Sequence, residues 1–389
     1  MTEHPNLCIV GAGAIGGLFA GRLADAGETV SVLARGRTLE ALRKEGMRLE
    51  SQGRSMAPKV RASDDAAELG RQDVIILAVK APALRDVARS ILPMVGPDTV
   101  IIPALNGIPW WFFLGGDHPL AGTRLRSVDP DGSIEAHLPV DQVLGAVVFA
   151  SASTPEPGFT RHASGNRVVV GEPRGGTSER ASAVAAIFAR AGFDAVASAN
   201  VRADIWTKLL GNACFNSASL LTGAYTDAMI DDPRLHETFV TMMDEALAVG
   251  ERLGLPAQVA SRERIALTRG LGHIKTSMLQ DVEAGRPVEI ESILGALVET
   301  AAAARCPAPT LNTVYALARM RAGVGLASRL SRALLFYRRK TQKLRLNRRR
   351  LRRILRALRE HGEPADGGMR CLFPARSSGT SLRPCTSGP

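Results

Sequence analysis

Leu7-Cys8-Ile9-Val10-Gly11-Ala12-Gly13-Ala14-Ile15-Gly16-Gly17-Leu18-Phe19-Ala20 is the stretch that decides the fold. Its first four apolar residues read as a buried strand, and the glycine loop after them opens onto an apolar run with helical spacing. A strand, a G-x-G-x-x-G loop and a helix, in that order, form the setting in which dinucleotides are bound. Gly11 permits the tight turn, Gly13 lets the backbone approach a pyrophosphate, and Gly16 lets the helix pack closely on the strand. The helix N-terminus then offers its free N–H groups to the anion. The candidate cofactor-binding loop is therefore Gly11, Ala12, Gly13, Ala14, Ile15 and Gly16.

The rhythm continues outward from this loop. Thr29–Ala34, Asp73–Val79 and Thr99–Leu105 read as further buried strands, with amphipathic helices over Gly17–Ala26, Thr38–Glu45 and Ala83–Leu92. Strands alternating with helices indicate a parallel sheet with crossovers. The second strand ends Leu33-Ala34-Arg35-Gly36-Arg37. An NAD-binding unit places an acid there for the ribose 2′-hydroxyl. Here two guanidinium groups stand instead, suited to a 2′-phosphate, so Arg35 and Arg37 favour NADP(H). Lys80 and Asn106-Gly107 end two more strands, where ligands of open α/β sheets sit. Each reads either as a contact to cofactor and substrate or as an ordinary loop residue.

Residues 108–175 change character, with strand-like pieces (Val143–Ala150, Arg167–Gly171) between turns, and read as a mixed β extension of the same sheet. Ser178–Ala191 reads as a helix closed by Gly192. From Ala203 to Met320 the pattern is almost wholly helical, broken at Asp232-Pro233, Gly254-Leu255-Pro256, Gly285-Arg286-Pro287 and Cys306-Pro307. The expected organisation is an α/β, Rossmann-type doubly wound dinucleotide-binding domain over 1–199, an all-helical domain over 200–321, and a basic extension over 322–389.

Composition bounds what the chain does. Of 389 residues 45% are apolar and 22% charged, enough for a large core. The net charge of +11 suggests nucleic acid until it is located. Residues 1–320 carry 31 basic and 35 acidic side chains, whereas residues 321–389 carry 18 basic and 3 acidic. The body is mildly acidic, so no nucleic-acid partner is expected for residues 1–321. With aromatics at 4%, a repetitive base-stacking surface for single-stranded nucleic acid is not expected either. Five scattered cysteines without a C-x-x-C pair argue for no metal site and a reducing compartment. No leader-like segment and no run of 18 apolar residues is present, so the expected location is cytoplasmic, without a membrane span.

The helical half carries a polar stripe. Lys208, Asn212 and Asn216 recur every four residues, on one face of a helix that is otherwise apolar nearly all round. A buried ammonium and two amides need polar partners or a polar cavity. Further on, Ser277-Met278-Leu279-Gln280-Asp281 precedes the Gly285-Arg286-Pro287 turn, and Glu289 opens the next helix. Taken alone, Glu289 reads as an N-terminal helix acid.

The glycine loop, Lys80, Asn106-Gly107, the Lys208/Asn212/Asn216 helix and the Ser277…Glu289 segment, in this order over about residues 7–320, together resemble the ketopantoate reductase (2-dehydropantoate 2-reductase) family. The resemblance implies a second domain like the helical C-terminal one of 6-phosphogluconate dehydrogenase. It also implies NADPH-dependent reduction of ketopantoate to pantoate, in pantothenate and coenzyme A biosynthesis. By the same resemblance Lys208 is the general acid and Glu289 orients it. Asn212 and Asn216 bind the substrate's hydroxyl end and Ser277 its carboxylate. Asn106 touches both cofactor and substrate, and Lys80 lies near the cofactor. A homodimer is left open.

Two alternatives stand beside this reading. Ile108-Pro109-Trp110-Trp111-Phe112-Phe113 departs from the expected pattern. These aromatics either pack under a long loop or line the pocket, and in the latter case the substrate is a bulkier 2-keto acid. The other alternative is a dinucleotide sensor, or a nucleic-acid- or membrane-associated protein, acting through the basic tail. Arg329–Arg359 has the spacing of a basic amphipathic helix.

Overall fold

The computed structural model describes residues 4–255 and 259–323. The basic stretch from Arg329, the segment after it, and Pro256 lie outside the described residues.

In chain order the α/β half runs β1 (Asn6–Val10), α1 (Ala14–Asp25), β2 (Thr29–Leu33), α2 (Gly36–Glu45), β3 (Arg48–Ser51), β4 (Arg54–Met56), β5 (Arg61–Ser63), α3 (Ala66–Leu69), β6 (Val74–Leu77), α4 (Leu84–Ser90) and β7 (Val100–Pro103). It continues with α5 (Ser133–His137), β8 (Gly145–Glu156), β9 (Phe159–Gly171), α6 (Glu179–Arg190) and β10 (Asp194–Ser198). The first sheet is wholly parallel, in the order β5-β2-β1-β6-β7. Its strands β1, β6 and β7 are apolar on both faces, as the covered part of a parallel sheet requires. Cys8, Val10, Ile75, Leu77 and Ile101 enter one apolar cluster, and Leu7, Ile9, Val74, Ile76 and Ile102 the other.

The β segment after residue 108 corrects the expectation of a single extended sheet. β8 pairs antiparallel with β9, which also carries β10 and β3 in parallel, and β3 pairs with β4. Just before β8, Val143 forms an isolated parallel bridge to Ile101 of β7. The chain then turns away at Gly145, where a Cβ atom would come within 2.7 Å of Trp111. Helix α1 packs against strands of both sheets, so Gly16 to Leu23 are all buried. Gly17 and Gly21 make this possible: a Cβ on Gly17 would meet the Thr160 hydroxyl at 2.0 Å, and one on Gly21 would meet Leu49 at 2.7 Å.

The helical half comprises α7 (Val201–Gly211), α8 (Ser217–Thr222), α9 (Thr226–Asp231), α10 (Pro233–Arg252), α11 (Ser261–Gly270), α12 (Ser277–Glu283), α13 (Ala296–Ala303) and a helix over 309–323. The expected breaks fall between these helices, and at one of them Asp232 caps α10 by accepting from the amides of Arg234 and Leu235. Two wide turns were not foreseen. Asn212–Asn216 and Glu291–Gly295 are π-helical and pack against one another. Such turns interrupt a helix at a cost and recur at functional sites.

The aromatics of residues 110–113 belong to the core. Trp110, Trp111, Phe112 and Phe113 are at most 3% exposed, Trp110 Nε1 donates to the Leu138 carbonyl, and Phe112 stacks on Trp206 of α7. They join the α/β half to the helical half within one apolar cluster. These rings pack in the core and give no ground for a bulkier substrate. The Ser127–Gly132 segment that follows is structural too: buried Asp129 accepts from the Ile134 and Glu135 amides, and Glu299 accepts from the amides of Arg126 and Ser127.

Candidate active site

The glycine loop leaves β1 with Gly11 at φ +92°, a conformation suited to glycine. A Cβ on Gly16 would lie 1.9 Å from the Gly11 carbonyl oxygen, so the turn closes only without a side chain there. Around Gly13 the space is open, with nothing within 4 Å of a Cβ position. The N-terminus of α1 has no side-chain cap, and the amides of Ala14, Ile15 and Gly16 find no acceptor among the described residues. This is an anion cradle. Arg35 stands at the N-cap position of α2 without a side-chain cap, and Arg37 lies in the first turn; both are exposed, and neither guanidinium has a partner among the described residues. Two free cations beside a free helix terminus fit the 2′-phosphate and pyrophosphate of NADP(H).

Lys208 projects from α7 toward the ends of the α/β strands. Its Nζ donates to the Asn106 side-chain oxygen at 2.9 Å and to the Val148 carbonyl at 2.6 Å. An ammonium has three N–H donors, so one is left over. Burial pushes the Lys208 ammonium down from its ordinary value to about 8, and the charge of Glu289 opposes that shift. Lys208, Asn106, Gly107 and Asn212 line one small cavity with Leu105, Val147 and Leu209. Gly107 is held against the second π turn, because a Cβ there would lie 2.1 Å from the Ser292 carbonyl oxygen.

Asn212 and Asn216 stand in the first π turn, Asn216 buried and Asn212 half-buried. Neither side-chain amide has a partner among the described residues. Two amides without protein partners on an otherwise apolar helix are available to a ligand.

Glu289 is buried and meets Lys80, with no hydrogen bond to Lys208. Its Oε2 accepts from Lys80 Nζ at 3.3 Å and its Oε1 from the Ala81 amide at 3.0 Å. Lys80 also donates to Asp281 at 2.7 Å, and Asp281 in turn accepts from Arg286 Nε at 2.9 Å. Burial penalises the Lys80 ammonium, yet Glu289 and Asp281 outweigh it and hold its pKa above the ordinary lysine value. Ser277 is exposed in the first turn of α12, whose cap is the neighbouring Thr276.

Sequence reasoning gave Asp281 no role, although its place three residues after Met278 puts it on the same face of α12 as that buried side chain. The Val148 carbonyl left no signal, since a backbone acceptor is independent of side-chain identity.

Comparison with known proteins agrees over the described body. Residues 7–175 match the family described as ketopantoate reductase PanE/ApbA, and residues 200–322 match its C-terminal part. A 2-dehydropantoate 2-reductase of Mesorhizobium japonicum is 43% identical over 316 residues, 81% of this chain and 97% of its own. A crystallised protein of Ralstonia solanacearum MolK2 is 46% identical with a TM-score of 0.80, covering 83% of this chain and 99% of its own. The crystal structure of the Methylococcus capsulatus 2-dehydropantoate 2-reductase is 31% identical with a TM-score of 0.69, covering 81% and 96%.

Proposed function

The chain belongs to the ketopantoate reductase family, and from that membership we propose that it reduces 2-dehydropantoate to pantoate with Lys208 as proton donor. It is an oxidoreductase of the NADPH-dependent kind that this family represents. When bound, NADPH supplies the hydride that arrives at the 2-oxo carbon. Everything else falls to the chain's own side chains. The amides of Ala14 to Gly16, with Arg35 and Arg37, would hold the phosphates.

The observation that carries the reading is the hydrogen bonding of Lys208, which leaves one donor over. Asn106 and Val148 take two of its three donors, and the third is free for the substrate's 2-oxo oxygen. That donor stabilises the alkoxide as charge develops and then transfers its proton to it. A pKa near 8 keeps the ammonium charged at neutral pH while weakening its hold on the proton. Glu289, anchored by Lys80 and Ala81, acts on Lys208 through its charge, keeping it protonated. The free amides of Asn212 and Asn216 serve the substrate's hydroxyl, and the exposed Ser277 hydroxyl its carboxylate.

The test is NADPH oxidation with 2-dehydropantoate, set beside a panel of other 2-keto acids and NADH. The reading predicts highest kcat/KM for 2-dehydropantoate with NADPH. A higher value on a bulkier 2-keto acid would assign the chain to a different substrate, and inertness toward all of them would refute the enzyme reading.

A further inference from the structure

Phe149 is the one aromatic among the exposed large apolar side chains of the described residues, at 37%. It sits on β8 two positions beyond Val147, and alternate residues of a strand face the same side. Val147 lines the Lys208 cavity, and Phe149 stands on the same face of β8 one pleat further along. There it lies 5.6 Å from Lys208 Nζ, whose own acceptor is the carbonyl of the preceding residue, Val148.

The ring is held in that position by backbone geometry. Phe149 opposes Arg167, whereas Ser151 opposes Ser164, so the β8–β9 ladder slips immediately after Phe149. A bulge of this kind re-aims a side chain and bends its strand. Opposite the slip, Gly165 takes φ +70°, and a Cβ there would come within 2.4 Å of the Phe149 carbonyl oxygen. The sequence thus keeps a glycine where the bulge requires one, beside a ring left partly in water.

We propose that Phe149 is a specificity-determining residue, forming the apolar wall against which the branched C3 of a 2-keto acid packs while Lys208 engages its 2-oxo oxygen. This rests on the reading of Lys208 as proton donor. The other side chains assigned to the substrate are an ammonium, carboxamides and a hydroxyl, which serve its oxygens. A keto acid branched at C3 also carries an apolar face, and the Phe149 ring is the exposed apolar surface beside Lys208 to receive it. Pyruvate, with a bare methyl at C3, gains little from that wall.

The test is steady-state kinetics of wild type, Phe149→Ala and Phe149→Leu with 2-dehydropantoate and pyruvate as substrates at saturating NADPH, and with NADPH varied at fixed 2-dehydropantoate. Phe149→Ala is expected to lower kcat/KM for 2-dehydropantoate by about ten- to a hundred-fold, chiefly through KM, the range set by lost apolar contacts in a pocket. The value for pyruvate and the KM for NADPH are expected to stay near wild type, and Phe149→Leu to recover most of the loss. An equal loss on both substrates, no loss, or a shift confined to the KM for NADPH would overturn the proposal. If wild type reduces neither substrate, the Lys208 reading fails first and the wall falls with it.

Discussion

Lys208 Nζ donates to the Asn106 side-chain oxygen across 2.9 Å, a bond that ties helix α7 to the loop leaving β7. With the Val148 carbonyl it fixes where the remaining N–H points. Replacing Lys208 by Ala removes both proton donor and charge, and kcat is expected to fall about 10³-fold or more, within the range for a lost general acid combined with lost alkoxide stabilisation. Asn106→Ala keeps the donor but frees its direction, so a smaller loss of about 10- to 100-fold is expected. Single-turnover measurement of NADPH oxidation checks both, and equal losses would show that Asn106 does more than aim the ammonium.

The pH profile follows from the same lysine. Its ammonium is the active form, and burial places its pKa at about 8. Reduction is therefore expected to be level below that pH and to fall as pH rises through it. Glu289 favours the charged form, so Glu289→Gln removes that support and moves the fall to lower pH. Profiles of kcat/KM for both proteins decide it, and an unmoved alkaline limb in Glu289→Gln would dissociate the two residues.

Lys80 lies between two buried carboxylates, Asp281 and Glu289. Its own side chain is 40% exposed, which tempers the cost of losing it. Lys80→Met removes the cation that two buried acids share, although Asp281 keeps Arg286, and is expected to destabilise the fold by about 2 kcal/mol, below the usual range for breaking a buried pair because water reaches the site. Adding Asp281→Asn removes one of the two charges and is expected to recover much of that loss. Urea unfolding of the single and double variants at pH 7 measures the coupling, and simple additivity would deny it.

Arg35 and Arg37 are exposed and unpaired among the described residues, so their removal costs little stability. The double variant Arg35→Ala/Arg37→Ala is expected to raise the KM for NADPH about ten- to a hundred-fold, the scale of one or two charge-assisted phosphate contacts. The KM for NADH is expected to be nearly unchanged. Parallel titrations with both cofactors check this, and an equal loss with each would place the arginines elsewhere than at the 2′-phosphate.

The dinucleotide loop was legible because its chemistry is local: glycines between a strand and a helix leave a pattern in consecutive residues. The polar stripe Lys208/Asn212/Asn216 was legible because polar groups at helical spacing stand out against an apolar helix. The partners of those groups were not. Glu289 meets Lys80 across 209 positions of chain, and only the packing of α12 and its following turn on the sheet brings them together. The second sheet was missed in part because the outer half of β8, Ser151–Glu156, is exposed and polar and lacks the alternation by which half-buried strands are recognised. The π turns also left no periodic trace, since each adds a single residue to an otherwise regular helix.

Gly17 and Thr160 offer a test of how α1 is held between the sheets. The Thr160 hydroxyl is fully buried, has no hydrogen-bond partner, and stands where a Cβ on Gly17 would be. Gly17→Ala gains helix propensity, about 1 kcal/mol in an unconstrained helix, but forces the helix and β9 apart. A net loss of about 1–3 kcal/mol is expected, the usual cost of overpacking a core. In a Thr160→Ala background the hydroxyl is gone, and the nearest remaining contacts are the flexible end of Met47 at 2.9 Å and the Thr160 Cβ at 3.1 Å. The same Gly17→Ala change is then expected to cost much less. Thermal unfolding of the four proteins in this cycle measures the difference, and an equal cost in both backgrounds would mean that the strand backbone, not the hydroxyl, sets the closest approach of α1.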